Sequence, residues 1–362
     1  MGMKRAANMA LGGIASVLLS VNGWAGEARA QAIEGKRGPS VIIAEAPDDQ
    51  WRTVDPAQVV VMELEHGRIT IELSDFFAPN HVAQMKTLVK SGFYDGLSFY
   101  RVIEGFVAQG GDPFGARELP EGAVETLKAE FDENKSREFM LGLGIAASQY
   151  ETAACNQKVI CDQTLGCIND FPCLMLLGHD NYAGRVGSTG FLKGFPTAHH
   201  DEGQIGGRLK HPNEDERYSL IHCTGAFAFG RENDPDTAST EFYITLQPQR
   251  YLDRNLTVFG RVIDGMEHVQ ALTRQAPPEK EDDPLGDVIV RAWMGDTPPE
   301  GETTPAWQVF RTDTEIFADY VESRRNRPEA FFIYRPNHVD VCQLPIPVRQ
   351  TPVPGDGDED TP

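Results

Sequence analysis

The 362-residue sequence predicts a mainly β fold, because short β-rich runs separated by turn residues outnumber its helical segments. The clearest signal is a hairpin, in which residues 59–64 and 68–73 lie on either side of His66-Gly67. Apolar residues occupy every second position of the second run, which is typical of a strand with one buried face. The carboxylates of this hairpin are therefore expected on its exposed face, without a catalytic role: Glu63, Glu65 and Glu72.

A helix is predicted between Pro79 and Gly92, where apolar residues recur at helical spacing. Pro79 suits the first helical turn, because a backbone N–H would have no partner there. The same reasoning predicts further strands at 97–102, 106–109, 226–229, 242–246, 258–262 and 288–293, and short helices at 265–272 and 313–325.

The charge balance excludes some classes of partner. The chain has 33 Lys and Arg against 54 Asp and Glu, a formal net charge of −21. Phosphate contacts need clustered cations, so a nucleic-acid-binding role is not expected. Docking on anionic membranes is disfavoured for the same reason. An apolar content of 40% with 19 Phe is sufficient for a core and excludes global disorder.

Residues 1–30 are predicted to form a secretory signal peptide. Lys4 and Arg5 precede an apolar run from Met9 to Val21, and small-residue cleavage patterns follow between Ala28 and Ala32. The apolar run is shorter than the roughly 20 residues that a membrane-spanning helix needs. We therefore expect an exported protein, located in a bacterial periplasm and without stable insertion into a membrane.

The segment from Phe99 to Asp112 carries the most informative chemistry. It predicts two strands joined by a glycine turn, with Arg101 on the first and Gln109 on the second. Arginine is almost never buried without partners, so two interpretations remain open. Either Arg101 extends to solvent at a sheet edge, or its guanidinium stands in an apolar groove beside Gln109. Alternation favours the groove, because Val107 and Gln109 share one face of their strand.

At residues 99–112 the sequence resembles the cyclophilin family of peptidyl-prolyl cis–trans isomerases, whose hallmark reads aromatic-x-Arg-Val-Ile…Gly-Phe-x-x-Gln-Gly-Gly-Asp. Residues 229–244 are similar to the family's stretch leading into its central pocket strand, and residues 251–262 to its pocket-edge loop and following strand. Residues 78–96 resemble its first helix and the exit from it. The resemblance covers about residues 58–135 and 222–295.

The resemblance implies a closed eight-stranded antiparallel β-barrel capped by two helices. This domain would occupy residues 58–296, with a long insertion at about 137–221. Residues 31–57 are expected to form a polar linker or a loosely docked arm. Residues 297–362 would form a C-terminal extension, and their acidic end is expected to be disordered.

By resemblance, Arg101 is the catalytic residue and Gln109 its hydrogen-bonding partner. An X–Pro amide isomerises over a barrier of roughly 18–20 kcal/mol, set by its partial double bond. A guanidinium beside the prolyl amide stabilises the twisted, single-bond-like state more than the planar one. Arginine suits this task because it is always charged and presents a rigid fork of donors. The implied peptide-binding residues are Phe106, Val107, Gly230, Arg231, Tyr243, Tyr251, Leu252 and Leu256.

Several pocket positions depart from the family's pattern. Aromatic or apolar character is kept at Tyr100, Val107, Tyr243, Tyr251 and Leu256, which stand where the family has His, Met, Phe, Trp and His. Glu241 stands where the family has Gln. A carboxylate near Arg101 could pair with it and compete with the substrate. A second class of function therefore stays open, a non-catalytic proline-peptide-binding or chaperone-like module.

The six cysteines are expected to form disulfides in an exported protein. Four of them recur at every sixth position within the predicted insertion: Cys155, Cys161, Cys167 and Cys173. Zinc binding is the alternative, but a C-x-x-C spacing is absent, so two local disulfides with three possible pairings are favoured. Pairing of Cys223 with Cys342 would tie the C-terminal extension to the core.

No metal ion or organic cofactor is expected. The polar cluster His199, His200, Asp201, Glu202 and His211 fits a solvated loop better than a metal site. The predicted partners are proline-containing polypeptides among the exported proteins, and the protein is expected to be a monomer. A cell-envelope scaffold that uses the acidic tail is a third hypothesis.

Overall fold

The computed structural model describes residues 35–131, 133–134, 148–151, 158–161, 178–179, 187–201, 216–280 and 286–351. The predicted signal peptide and the acidic end after residue 351 lie outside these ranges. So do Cys155, Cys167, Cys173, Glu202 and His211, and the side chains of Cys161, His199, His200 and Asp201.

The strands in chain order are β1 (Trp51–Thr53), β2 (Val59–Leu64), β3 (Gly67–Leu73), β4 (Ser98–Val102), β5 (Val107–Gly111), β6 (Glu133–Asn134), β7 (Ser148–Glu151), β8 (Lys158–Cys161), β9 (Gly178–His179), β10 (Gly187–Leu192), β11 (Phe195–Asp201), β12 (Glu216–Leu220), β13 (Ala226–Phe229), β14 (Phe242–Thr245), β15 (Val258–Asp264), β16 (Asp287–Met294), β17 (Trp307–Phe310) and β18 (Val348–Gln350). The helices are α1 (Pro39–Glu45), α2 (Pro79–Lys90), α3 (Met266–Ala271) and α4 (Glu315–Arg325).

A closed antiparallel barrel of eight strands forms the centre of the molecule, which confirms the predicted fold class. Its strands follow the order β13-β14-β5-β4-β16-β2-β3-β15. The interior is filled by buried apolar side chains, including Met62, Ile69, Phe227 and Phe242. Helices α2 and α3 pack against this core, the first through its apolar face at Met85 and its neighbours. Burying such a stripe is what stabilises a short helix in a protein.

A second layer covers one side of the barrel and is built from both ends of the described chain. Strand β17 lies between β1 and β18 in a three-stranded sheet. Ile42 of α1 and Trp51 of β1 are buried in one cluster with Phe310 and Phe317 of the C-terminal extension. Residues 39–54 therefore dock more firmly than their polar composition predicts, because a few apolar side chains find partners more than 250 positions away.

Glu72 corrects the expectation of an exposed carboxylate on β3, since its residue is 3% exposed. The second layer covers this strand from outside and brings Arg52 of β1 to the carboxylate, while Arg261 reaches it from the neighbouring barrel strand β15. Arg52 Nη2 lies 2.7 Å from Glu72 Oε1, and Arg261 Nη2 lies 3.1 Å from Oε2. A charge at this depth needs such partners.

The predicted insertion contributes strands β9 to β12 to a five-stranded sheet in the order β6-β12-β11-β10-β9, and β6 lies just before the insertion. The insertion also contains a separate hairpin of β7 and β8. Leu192, Phe195 and Leu220 of this sheet pack in one cluster with Val107 and Tyr243 of the barrel wall. The structure also joins Cys223, beside β13, to Cys342 of the extension by a disulfide. None of the helices in the described ranges has the length and apolar character to cross a membrane.

Candidate active site

Three adjacent barrel strands bring the predicted site residues together. Gln109 on β5 pairs with Arg101 on β4 on one side and with Tyr243 on β14 on the other. Residues paired across neighbouring strands project on the same face of a sheet. The local alternation that predicts one face for Val107 and Gln109 is therefore extended by strand pairing to Arg101 and Tyr243.

Arg101 is held by a neutral amide. Its Nη1 donates a hydrogen bond of 3.0 Å to Gln109 Oε1, and its guanidinium carbon lies 5.4 Å from the ring centroid of Phe106. Among the described side chains, no carboxylate forms an ion pair with Arg101. The guanidinium is half-buried and keeps its charge available to a bound molecule.

Glu241 has partners other than Arg101. Its Oε2 accepts a hydrogen bond from Gln109 Nε2 at 2.9 Å and another from the hydroxyl of Tyr100. The same Gln109 nitrogen lies 2.5 Å from the Tyr100 oxygen. The competition expected between Glu241 and the substrate for the guanidinium is thus absent from this arrangement, since Gln109 stands between the two charges.

Gly111 permits this position of Glu241. Its φ of 127° lies in a region that disfavours side chains, and a Cβ there would lie 3.0 Å from the Glu241 Cα. Glycine is therefore required at position 111, because the backbone of Thr240 and Glu241, just before β14, approaches it closely. Gly230 N–H also donates to the Glu241 carbonyl, at 2.6 Å.

The electrostatics favour a protonated phenol beside a carboxylate. Burial and the charge of Glu241 raise the pKa of Tyr100 far above its ordinary value, so its hydroxyl stays a donor. Burial also raises the pKa of Glu241, and the nearby carboxylates of Asp112 and Glu232 add to that rise. Hydrogen bonds from Tyr100 and Gln109 oppose it without cancelling it.

The side-chain network borders a groove of about 700 Å³. Its lining includes predicted peptide-binding residues from three parts of the chain: Phe106, Val107, Gly230, Arg231, Tyr243, Leu252 and Leu256. Gln109 also lines it. Tyr251 stands at the rim, 57% exposed, with its ring stacked parallel to that of Phe106 at 6.4 Å. Apolar walls with a few convergent polar groups are typical of ligand sites.

The Arg231 side chain organises the rim of the groove. Its Nε and Nη2 donate to the Asn255 carbonyl at 2.9 and 2.8 Å. Its Nη1 donates to the Glu232 carbonyl at 2.6 Å. The guanidinium therefore fixes the loop that carries Leu252 and Leu256 against the strand end at Gly230.

Several groove residues were not predicted from the sequence: Asp112, Pro113, Phe114, Gly115, Glu232, Thr237, Ser239 and Thr240. Five of them lie inside the recognised stretches 99–112 and 229–244, and the other three directly follow the first stretch, so that position was the available signal. Behind Tyr243, the buried residues His222 and Asp253 were also missed. A phenol on a buried strand usually needs a hydrogen-bonding partner, and that requirement pointed to such a group. Within the described ranges, no three metal-ligating side chains converge.

Comparisons with known proteins agree with this geometry. The family model of "Cyclophilin type peptidyl-prolyl cis-trans isomerase/CLD" matches residues 59–160 and 177–294. A "Probable peptidyl-prolyl cis-trans isomerase" of Brucella suis is 38% identical over 117 residues, 29% of this chain. The match spans 58% of that relative's length. "Peptidyl-prolyl cis-trans isomerase ppi1" of Schizosaccharomyces pombe is 26% identical over 208 residues, which cover 57% of this chain and 79% of the relative.

The solved structure of cyclophilin AquaCyp293 from Hirschia baltica has a TM-score of 0.60 to this chain and is 27% identical. The match covers 87% of this chain and 98% of the other, so it includes more than the barrel. Together with the family model, which spans more than half of the sequence, this likeness decides the assignment. The chain belongs to the cyclophilin-type peptidyl-prolyl cis–trans isomerase family.

Proposed function

We propose that this protein is a peptidyl-prolyl cis–trans isomerase that acts on exported polypeptides. The reaction needs a groove that holds a proline ring and a donor that favours the twisted amide. The groove lined by Gln109, the hydrogen-bonding partner of Arg101, supports both requirements, and the relatives are named for the same activity.

The observation that carries the proposal is the side-chain hydrogen bond from Arg101 to Gln109. A neutral amide fixes the guanidinium without cancelling its charge, so donors remain for a substrate. With the proline ring against Val107 and Tyr243, the guanidinium would donate to the prolyl nitrogen as that atom becomes pyramidal. The interaction strengthens as the amide loses its double-bond character, which is the condition for catalysis rather than binding alone.

Glu241 has a positioning role in this proposal. A carboxylate accepts hydrogen bonds and donates none, so it attracts the NH₂ group of Gln109. The amide oxygen is then directed at Arg101. The replacement of the family's Gln by Glu241 is therefore compatible with catalysis, because the carboxylate orients the residue that orients the arginine.

The exported location rests on two features. Residues 1–30 have the charge and apolar pattern of a secretory signal peptide. The disulfide between Cys223 and Cys342 is of a kind that persists in oxidising compartments. We propose a periplasmic monomer whose partners are unfolded or partly folded chains with exposed X–Pro bonds.

A protease-coupled assay on a proline tetrapeptide tests the proposal, with Arg349→Ala as the matched control. Arg349 is also half-buried against an aromatic ring, 4.4 Å from Trp51, but lies in the second layer. We expect wild type and Arg349→Ala to accelerate isomerisation equally, and Arg101→Ala to lose most of the acceleration. Peptide binding without acceleration by wild type would refute catalysis and support the proline-binding module instead.

A further inference from the structure

His222 and Asp253 form a buried hydrogen-bonded pair directly behind the groove wall. His222 is 0% exposed and Asp253 is 5% exposed. His222 Nδ1 lies 3.0 Å from Asp253 Oδ1, and the His222 backbone N–H donates to the same oxygen at 2.9 Å. On its other side, His222 Nε2 lies 2.8 Å from the Tyr243 hydroxyl.

The direction of these hydrogen bonds follows from the partners. Burial would raise the pKa of Asp253, but the hydrogen bond from His222 and the charge of Arg250 outweigh it and lower the pKa. Asp253 is then an acceptor, so Nδ1 of His222 donates to it. Nε2 is left to accept from Tyr243, whose phenol stays protonated because burial raises its pKa.

The same histidine is bonded to the rim of the groove. Its carbonyl accepts the Gln249 N–H at 2.8 Å, and the Gln249 side chain donates to the Gly105 carbonyl at 2.7 Å. Asp253 also pairs with Arg250 Nε at 2.5 Å, which closes the 3₁₀ turn 250–252. The His222 side chain therefore contacts Tyr243 and Asp253, and its backbone carbonyl binds Gln249.

We infer that His222 is a positioning residue of the isomerase site, which holds the Tyr243 wall and the 249–253 rim as one unit. This inference rests on the proposed function. Tyr243 is paired with Gln109, the partner of Arg101, so a shift of the wall changes the distance between the bound proline and the guanidinium. Misplacement of about 1 Å in an active site costs roughly 10²-fold in rate.

A structural role alone is the competing explanation, and a second buried histidine separates the two. His81 is 1% exposed and its Nδ1 lies 2.6 Å from Glu130 Oε2, so it matches His222 in burial and partner. It lies at the start of α2, with its ring near Phe229 and Phe259 of the barrel interior. Loss of either imidazole is expected to lower stability, but only loss of His222 is expected to alter the site.

The test measures kcat and KM on a proline tetrapeptide, with melting temperatures, for His222→Ala, His222→Gln, Tyr243→Phe and His81→Ala. We expect His222→Ala to lower kcat/KM by roughly 10- to 100-fold, mainly through kcat. His222→Gln, which keeps a donor and an acceptor, restores most of that loss. Tyr243→Phe lowers kcat/KM less than His222→Ala, and His81→Ala lowers the melting temperature alone.

A second readout separates failure of this inference from failure of the proposed function. The NMR signals of the Gln109 side-chain amide and the Tyr251 ring report on the wall and the rim without any substrate turnover. Changed chemical shifts of these signals in His222→Ala and Tyr243→Phe, but not in His81→Ala, support the inference even if wild type proves inactive. Unchanged signals and unchanged kcat/KM in folded His222 variants, with only a lower melting temperature, would overturn it.

Discussion

The Gln109 side-chain oxygen accepts a hydrogen bond from Arg101 Nη1 at 3.0 Å. On its other side, the amide nitrogen of Gln109 donates to Glu241 at 2.9 Å. A neutral residue thus separates a cation from a carboxylate that would otherwise neutralise it. The departure from the family's pattern at residue 241 changes what holds the amide, while the contact between amide and arginine stays intact.

Replacing Gln109 with Ala is expected to lower kcat/KM by about tenfold or more, the effect of losing a hydrogen bond to a charged group. The freed guanidinium would also approach Glu241. The peptide assay measures the loss. Gln270→Ala is the control, because that side chain donates to the Leu246 carbonyl away from the groove. Equal kcat/KM for both variants would contradict the role of Gln109.

Replacing Glu241 with Gln is expected to change how stability depends on pH. The pKa of Glu241 is raised above its ordinary value of 4.5, mainly by burial. The folded protein then binds this proton more tightly than the unfolded chain, so stability falls as pH rises from 4.5 through the raised pKa. The Glu241→Gln variant lacks this decline in stability, and Arg101 keeps its hydrogen bond to Gln109.

Urea unfolding of wild type and Glu241→Gln between pH 4 and 8 checks this expectation. The wild-type free energy of unfolding should fall relative to that of the variant as pH rises, and the difference should become constant above the raised pKa. Activity at neutral pH should be similar. Parallel stability curves would show that the Glu241 carboxyl is not perturbed in the folded state.

Alternation along two short strands favoured a groove in which Arg101 lies beside Gln109, and the family resemblance predicted that the two act together. Such a pattern is local, because side chains two positions apart share a face of a strand. Resemblance then located the groove residues around Tyr243 and Leu256 on distant strands. Neither signal reports what lies outside the barrel, so the second layer over β3 could not be foreseen.

The residues that were missed depend on contacts between distant positions. Glu72 is buried because Arg52 and Arg261 reach it from other elements. His222 meets Asp253, 31 positions later, only through the return of the chain after β14. Periodicity carries no information on such pairs. A polar group on an otherwise apolar strand signals that some partner exists, without naming it.

Replacing Tyr251 with Ala is expected to weaken peptide binding without loss of stability. Its ring is 57% exposed and stacks on Phe106, so it contributes to the rim and little to the core. Loss of the aromatic contact costs about 1 kcal/mol of binding free energy. We therefore expect KM to rise a few-fold, with kcat nearly unchanged. Tyr334→Ala, at an 80% exposed tyrosine of the extension, should leave both constants unchanged.

Removing the disulfide between Cys223 and Cys342 is expected to cost about 2–5 kcal/mol of stability, because the bond closes a long loop of the unfolded chain. Urea unfolding of wild type and of a Cys223→Ala/Cys342→Ala double variant, both without reductant, measures the cost. Reductant should lower the stability of wild type more than that of the double variant, which keeps only the four cysteines of the predicted insertion. An unchanged midpoint on reduction would contradict a stabilising role.

The most direct test of the account compares wild type and Arg101→Ala by NMR exchange on a proline peptide at saturating protein concentration. This measurement separates binding, seen as shifted peptide signals, from interconversion of the cis and trans signals. We predict that both proteins bind the peptide, and that wild type exchanges the two isomers at least about a hundredfold faster, as expected for loss of a preorganised charged donor. Equal exchange rates in the two bound complexes would contradict catalysis by Arg101.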